Sequence, residues 1–371
     1  MTVRSDGRSG PRGGAKEPPN VADATQGRPR VGGVGRGRVV VVTGAAGFIG
    51  RHLVRRLAAD GWTVRAVDRV VEGRAPGLPR EDAGEVRWIQ LDIRDDEGLA
   101  PVLKGADVVL HLASAHLQHG APADWYESVN VGGSRTLFRA ASGAGVRRFV
   151  HVSSVGVYGH VESPPVDESG PLEPTNEYER TKLLGEVAVR DAARSSSMEL
   201  VVLRPGWVYG PGCPRTEKLL RTVRKGRFFF VGKGTNLRHP LYVSEAVEAL
   251  VRAIDAGVTD AAPPYLVVGP RAVEVRELVE VCARVQGVPV PRLRLPRPLV
   301  LGGLLGVELA SALARREPPV SRRSLAFFEH DNAFSGDAAA RDLGFEARVD
   351  LEEGMERTVR SPTPVDAGVP S

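Results

Sequence analysis

Hydrophobic and polar positions along this chain follow two rhythms in turn. Arg38-Val39-Val40-Val41-Val42-Thr43 is an unbroken β-branched run, the pattern of a strand covered on both faces. Glycines follow, and Phe48 to Ala58 then places apolar residues at helical spacing until Gly61 ends the helix. Trp62 to Val67 predicts a second strand. Further strands are predicted over Val86 to Leu91, Asp107 to Leu112, Arg148 to Val152 and Leu200 to Leu203. Helices fall between them, over Glu97 to Leu103, Trp125 to Ala144 and Tyr178 to Ser195. Strands exchanged regularly with helices predict crossover connections and a doubly wound parallel sheet of the α/β class.

After Arg204 the rhythm loosens. Helices near Thr216 to Lys225, Glu245 to Ala256 and Val273 to Gln286 mix with short strands and Pro-rich loops. This predicts a nucleotide-binding Rossmann domain over 38–205, with sheet contributions from about 240–268, and a smaller C-terminal substrate-binding lobe over 206–357. Residues 1–37 are rich in Gly, Pro and Arg and lack apolar periodicity, so they predict a disordered basic tail, and 358–371 predict a loose one. The greasy run Leu299 to Leu313 is interrupted by Glu308 and is short for a bilayer, which predicts a buried or interfacial helix without stable membrane insertion.

Composition narrows the class. The basic surplus of +5 sits mostly in the first 38 residues, leaving a near-neutral body that does not advertise a nucleic-acid surface. Two cysteines, Cys213 and Cys282, make neither a disulfide framework nor a metal spacing, and no apolar stretch follows the early basic residues. A reducing, cytoplasmic setting without a metal is expected. Only six of the 50 basic residues are lysines, so a lysine at a prescribed position carries more weight than an arginine would.

The first turn after the first strand reads Thr43-Gly44-Ala45-Ala46-Gly47-Phe48-Ile49-Gly50. Gly44, Gly47 and Gly50 let the backbone turn tightly and approach a pyrophosphate at the helix N-terminus, beside Phe48 and Ile49. Asp68 closes the second strand eighteen residues after Gly50, where an acid can hold the ribose hydroxyls of NAD. A carboxylate there repels the 2′-phosphate of NADP, although Arg69 and Arg51 leave NADP open. The glycine spacing resembles that of the extended short-chain dehydrogenase/reductases, the NAD-dependent epimerase/dehydratase family, and the likeness runs from residue 39 to about 357. Asp92 and Ile93 resemble the loop that contacts adenine. Leu112, Ala113 and Ser114 resemble the strand end lying along the cofactor ribose. Asn130-Val131-Gly132-Gly133 resembles a helix segment of that family, which implies a cofactor contact for Asn130.

Tyr178-Glu179-Arg180-Thr181-Lys182 opens a predicted helix, and a spacing of four puts Tyr178 and Lys182 on one face. Oxidising a hydroxyl needs a group that takes the alcohol proton as hydride leaves. A free phenol titrates near 10, too high for a base at neutral pH, and a nearby ammonium lowers it. The resemblance implies that Lys182 also bonds the nicotinamide ribose. Upstream, Val152-Ser153-Ser154-Val155-Gly156-Val157-Tyr158-Gly159 is similar to the family's serine motif, with Ser154 as the matching catalytic serine and Ser153 as a packing or turn residue. Leu203-Arg204-Pro205-Gly206-Trp207-Val208-Tyr209-Gly210-Pro211 looks like the family stretch in which backbone near Pro205 holds the nicotinamide. Trp207 either stacks on a substrate ring or packs.

Substrate signals are thinner. Arg238 occupies the place of a family arginine that grips a substrate phosphate, or else serves as an interlobe ion-pair residue, and His239-Pro240 replaces the usual following acid. The Asp-Glu pair that dehydratases of the family carry after the serine motif corresponds here to Val155 and Gly156. The reading is therefore a nucleotide-sugar epimerase, working through a transient keto intermediate. Alternatives are a dehydrogenase or reductase of a hydrophobic alcohol, of steroid or flavonol type, and a non-enzymatic NAD-binding sensor or scaffold. The resemblance also implies a possible homodimer through the helices near Trp125 to Ala144 and Tyr178 to Ser195.

Overall fold

The apolar runs form the buried strands of one parallel sheet. In chain order these are β1 (Val39–Thr43), β2 (Thr63–Asp68), β3 (Val86–Gln90), β4 (Val108–His111), β5 (Arg148–Val152) and β6 (Glu199–Pro205). Shorter pieces follow: β7 (Trp207–Tyr209), β8 (Phe230–Val231), β9 (Leu237–Arg238), β10 (Pro240–Tyr242), β11 (Tyr265–Val267), β12 (Val273–Glu274) and β13 (Arg294–Leu295). The computed structural model describes residues 35–70, 86–116, 122–257, 262–313 and 325–361. Of the two expected tails, only residues 35–37 and 358–361 fall inside that range.

The sheet order is β11-β6-β5-β4-β1-β2-β3, every pairing parallel. Chain direction across the sheet therefore reverses between β1 and β4, the switch point above which a Rossmann fold opens its crevice. Alternate residues of each strand feed opposite cores. Val40, Val42, Leu110 and Val150 meet Leu53, Val54 and Leu57 of α1 (Phe48–Ala59). Val41, Val109, Phe149 and Val202 meet the helices on the other face. These are α2 (Asp96–Leu103), α4 (Ser134–Gly143) and α5 (Glu177–Ala193), with the short α3 (Ala123–Glu127) leading into α4.

The predicted helix over Trp125 to Ala144 is interrupted. Between α3 and α4 the backbone widens into a π segment, Ser128–Gly133, which turns Asn130 inward. After β7 come α6 (Pro214–Arg224), α7 (Val243–Asp255), α8 (Val275–Val285), α9 (Arg297–Leu313), α10 (Ala326–Glu329), α11 (Asp337–Leu343) and α12 (Leu351–Arg360). Order extends past the predicted boundary at 358: α12 runs to Arg360, where buried Thr358 donates its hydroxyl to the Gly354 carbonyl at 2.7 Å. The chain after Pro205 divides its work. β11 extends the main sheet, and α7 packs on its α1 face. A separate core gathers Phe228, Phe230, Tyr242, Leu278 and Met355.

Gly50 shows how tightly the first turn is built. A Cβ there would lie 2.1 Å from the Gly44 carbonyl oxygen and 2.8 Å from Ala45 Cα. Gly50→Ala is expected to cost roughly 1–3 kcal/mol in denaturant unfolding and to weaken dinucleotide binding in titration. Gly143→Ala, on an open helix surface, should do neither.

Candidate active site

Above the switch point lies a cleft of about 1170 Å³, more than a drug-sized ligand needs. It is lined by Gly44, Gly47, Phe48, Ile49, Gly50, Asp68, Arg69, Asp92 and Ile93 on one side. Leu112, Ala113, Ser114, Ser154, Tyr178, Lys182, Pro205, Trp207 and Arg238 complete it. One expected site residue stands apart. Asn130 does not line the cleft; it is buried behind it, accepting from Ala115 N–H at 2.7 Å and donating to the Ala115 carbonyl and Thr181 Oγ1. It positions the strand-end loop that carries Ser114, whose hydroxyl it also accepts at 3.0 Å.

The glycine end fits a dinucleotide. Gly44 has φ +69°, and a Cβ on it would strike the Ala113 backbone nitrogen at 2.7 Å, so the turn packs directly on the β4 exit. No side chain caps α1 at Gly47, which leaves its first turn to an anion in the cleft. One Asp68 carboxylate oxygen accepts from Ala46 N–H at 3.0 Å and the other from Val70 N–H at 3.2 Å, fixing the acid against the turn. Asp92 is clamped by Arg94, whose hydrogen bonds hold its carboxyl below the usual range. The buried hydroxyl of Ser153 faces the cleft with no partner, a polar atom that a ligand could satisfy.

Local chemistry sets the catalytic helix. Asn176 caps α5 by accepting from Glu179 N–H at 3.1 Å, and the Glu179 carboxylate reaches back to Thr175 N–H at 2.8 Å. Tyr178 is thereby fixed in the first turn, partly buried, hydrogen-bonded to Ser154. Ser154 Oγ also accepts from Gly156 N–H at 3.0 Å. Lys182 is buried one turn on, and its Nζ donates to the Val152 carbonyl at 2.6 Å. Burial pulls Lys182 down to about 8, opposed by the Glu186 carboxylate. Glu186 in turn forms a two-pronged pair with buried Arg204, at 3.0 and 2.7 Å, and Arg204 donates to the Tyr158 hydroxyl at 2.6 Å.

The Lys182 ammonium, expected beside the phenol, is hydrogen-bonded to the Val152 carbonyl. Burial raises the Tyr178 phenol above its ordinary value, and the cation that opposes the rise is Arg215, not Lys182. The lysine's ammonium turns to the end of β5, because a desolvated cation needs an oxygen partner and the Val152 carbonyl supplies it. Arg215, on α6, also reaches the His116 ring at 3.3 Å, and that ring lies 4.8 Å from the Tyr178 ring. Sequence reasoning missed Arg215, Lys218, His116 and Asn332, all lining the cleft. Arg215 had a signal: it lies four residues after the Leu203 to Pro211 stretch that resembles the family's nicotinamide-holding segment.

At the far end, Arg238 is buried and lines the cleft. Its guanidinium donates to the His330 carbonyl at 2.9 Å and to the Asn332 side chain, above the Phe327 ring at 5.0 Å. Burial lowers it to about 10, so it stays cationic at neutral pH. His239 is a structural partner: one ring nitrogen pairs with the Gly269 carbonyl and the other accepts from Phe334 N–H. Trp207 stacks on Tyr209 with centroids 5.8 Å apart while facing the cleft. Among the described residues, none of helix α9 lines the cleft. No cluster of His, Cys, Asp or Glu among the described residues could hold a metal ion, and none of the described helices is long and apolar enough to cross a membrane.

This turn, acid and serine-tyrosine-lysine set can be compared with known proteins. Residues 40–269 match the model of the NAD dependent epimerase/dehydratase family. The chain belongs to that family. A UDP-glucose 4-epimerase of Mycolicibacterium smegmatis is 32% identical over 335 residues, covering 86% of this chain and 96% of the relative. A 2-alkyl-3-oxoalkanoate reductase of Stenotrophomonas maltophilia is 30% identical, covering 86% and 97%. The crystal structure of DesIV, a dTDP-glucose 4,6-dehydratase from Streptomyces venezuelae with NAD and TYD bound, superposes with a TM-score of 0.72 at 26% identity, covering 87% and 96%. The family's cofactor is NAD, its fold is the Rossmann fold described above, and this member is an NAD-dependent enzyme.

Two measurements test the site. Asp68→Ala should shift the ratio of NAD to NADP dissociation constants about tenfold toward NADP, the equivalent of ~1.4 kcal/mol. A wild type that already prefers NADP would remove the role given to Asp68. Lys182 titrates near 8 when folded and near 10.5 when unfolded, so over that window the unfolded chain binds the extra proton. Stability of the wild type relative to Lys182→Met should therefore climb as pH rises from 8 toward 10.5 and stay level below 7. A level difference throughout would mean that the ammonium is not desolvated.

Proposed function

We propose that this enzyme interconverts epimers of a nucleotide sugar by transient oxidation of a ring carbinol. The observation that carries the reading is charge: after Tyr178 in the chain the described lining holds Lys182, Arg215, Lys218 and Arg238 against Glu179 alone. An excess of cations there suits a diphosphate, which guanidinium forks bind in two-pronged fashion. The similar M. smegmatis protein is named for a UDP-glucose substrate, and DesIV was crystallised with a dTDP-glucose dehydratase's ligands. Val155 and Gly156, where resembling dehydratases carry an acid pair, supply no group to eliminate water.

In this reading Tyr178 Oη takes the carbinol proton and later returns it, while Ser154 Oγ holds the reacting oxygen. The Gly44 to Gly50 turn and Asp68 would hold NAD, which would supply a reversible acceptor for the carbinol hydride. For the other epimer to form, the transient ketone would have to turn over within the cleft. To take the carbinol proton the phenol must stand as phenolate, a form that burial opposes and the positive field of Arg215 favours. Lys182, anchored on Val152, stiffens the helix turn that presents the phenol.

The similar oxoalkanoate reductase supports a second reading, net oxidation or reduction of an apolar alcohol. Incubating the NAD-loaded protein with UDP-sugars, 3β-hydroxysteroids and 2-alkyl-3-hydroxyacids, while following NADH absorbance and sugar products, separates the two. Epimerised sugar without net NADH is the expected result. Stoichiometric NADH from an apolar alcohol would replace it with the second reading, and NAD binding without any turnover would leave a sensor. Tyr178→Phe should lower kcat by about 10²–10⁴-fold with NAD affinity unchanged; full turnover in that variant would end the proton-transfer role.

A further inference from the structure

Helix α9 is the part of the fold that the active site does not explain. From Pro298 to Val307 it reads Pro-Leu-Val-Leu-Gly-Gly-Leu-Leu-Gly-Val, with no polar side chain on any face. Val300 and Leu304, one turn apart, are buried against Val231 and Leu325, with Phe229, Leu295 and Phe328 around them. The other side is open. Leu299 is 61% exposed, Leu305 and Val307 are exposed, and Gly302, Gly303 and Gly306 leave the backbone uncovered between them. A surface helix normally turns polar residues outward. This one turns leucine, valine and glycine.

The segment leading into it adds charge of one sign. Leu293 is 58% exposed and Val290 is exposed, interleaved with exposed Arg292, Arg294 and Arg297. No Asp or Glu occurs from Val288 to Val307. Apolar side chains with arginines at their margin are the composition of a segment that lies in the headgroup region of an anionic bilayer. Seating the same face on a second copy would bring two sets of three arginines together with no acid between them, which opposes a two-fold contact. The helix has 17 residues, and none of the described helices is long and apolar enough to cross a membrane, so the contact is with the surface.

We propose that this face, Val290 to Val307, docks the enzyme on the surface of an anionic lipid bilayer. The support beneath the face is shared with the cleft. Leu325 and Phe328 carry α9, and Phe327 between them lies under the Arg238 guanidinium and accepts from the Asn236 side chain at 2.9 Å. Lipid contact thus falls on the lobe that closes the Arg238 end of the cleft. The proposal stands apart from the identity of the substrate.

The test is co-sedimentation of the full-length protein with vesicles of phosphatidylcholine, and of phosphatidylcholine containing one third phosphatidylglycerol, at low and high salt. Binding to the anionic vesicles at low salt is expected, falling about tenfold or more with neutral lipid or high salt. Leu299→Glu/Leu305→Glu and Arg292→Gln/Arg294→Gln alter exposed positions. Each double variant should lose vesicle binding at least tenfold, with unchanged NAD affinity and thermal unfolding showing that the fold is intact. Absence of sedimentation, or anionic binding that survives both double variants, overturns the proposal; the latter would place the lipid contact elsewhere on the chain. A concentration-dependent dimer abolished by Leu299→Glu/Leu305→Glu, without vesicle binding, overturns it in favour of a second copy.

Discussion

An ammonium group taken out of water has to be met by oxygen, and that requirement at Lys182 organises the centre of this enzyme. The Val152 carbonyl, at the last residue of β5, meets it directly, and Glu186 one turn along α5 supplies the negative field. Glu186 is itself claimed by Arg204 from β6, and Arg204 by Tyr158 from the serine turn. A single chain of charge-assisted contacts therefore pins α5, β5, β6 and the serine turn to one another. Removing one partner of such a buried pair leaves the other charge stranded, at a cost of about 3–5 kcal/mol. The same anchor decides where Tyr178 stands, because the phenol rides on the preceding turn of the same helix.

The cleft carries charges of both signs. Asp68 and Asp92 lie at the glycine end, with the carboxylates held by backbone amides and Arg94. Arg69 lines the same end, and Lys182, Arg215, Lys218 and Arg238 line the rest. A ligand bearing both hydroxyls and phosphates would find carboxylate and cationic partners there.

Much of this was legible in the chain, for identifiable reasons. Strands buried on both faces leave continuous β-branched runs, so β1 to β6 were predicted to within a residue or two of their observed ends. Residues in compact motifs, from Gly44 to Pro205, converge on the cleft because each motif sits at a strand's carboxyl end, where the parallel sheet must bring them together. The exceptions have a common cause. Strands of two or three residues, such as β8 and β9, are too short to show a period. Arg215, Lys218 and Asn332 reach the cleft only through the way the later chain folds back, which no local pattern encodes. Spacing placed Tyr178 and Lys182 on one helix face but could not say which oxygen the lysine would choose. Asn130 was placed among cofactor contacts because the motif names a segment, whereas burial decides which atoms it touches.

The π segment at Ser128–Gly133 has a consequence for how the long helix is phased. An α-helix advances about 100° per residue, so one residue more or fewer in a turn rotates everything downstream by that angle. Leu137, Phe138 and Ala141 point into the sheet core only because the widened turn has absorbed the offset, while Tyr126 and Asn130 keep their own buried bearing. The helix thus behaves as two shafts joined by a coupling. The half that bears Asn130 can be re-aimed by changes at the joint without twisting the half that holds the domain together.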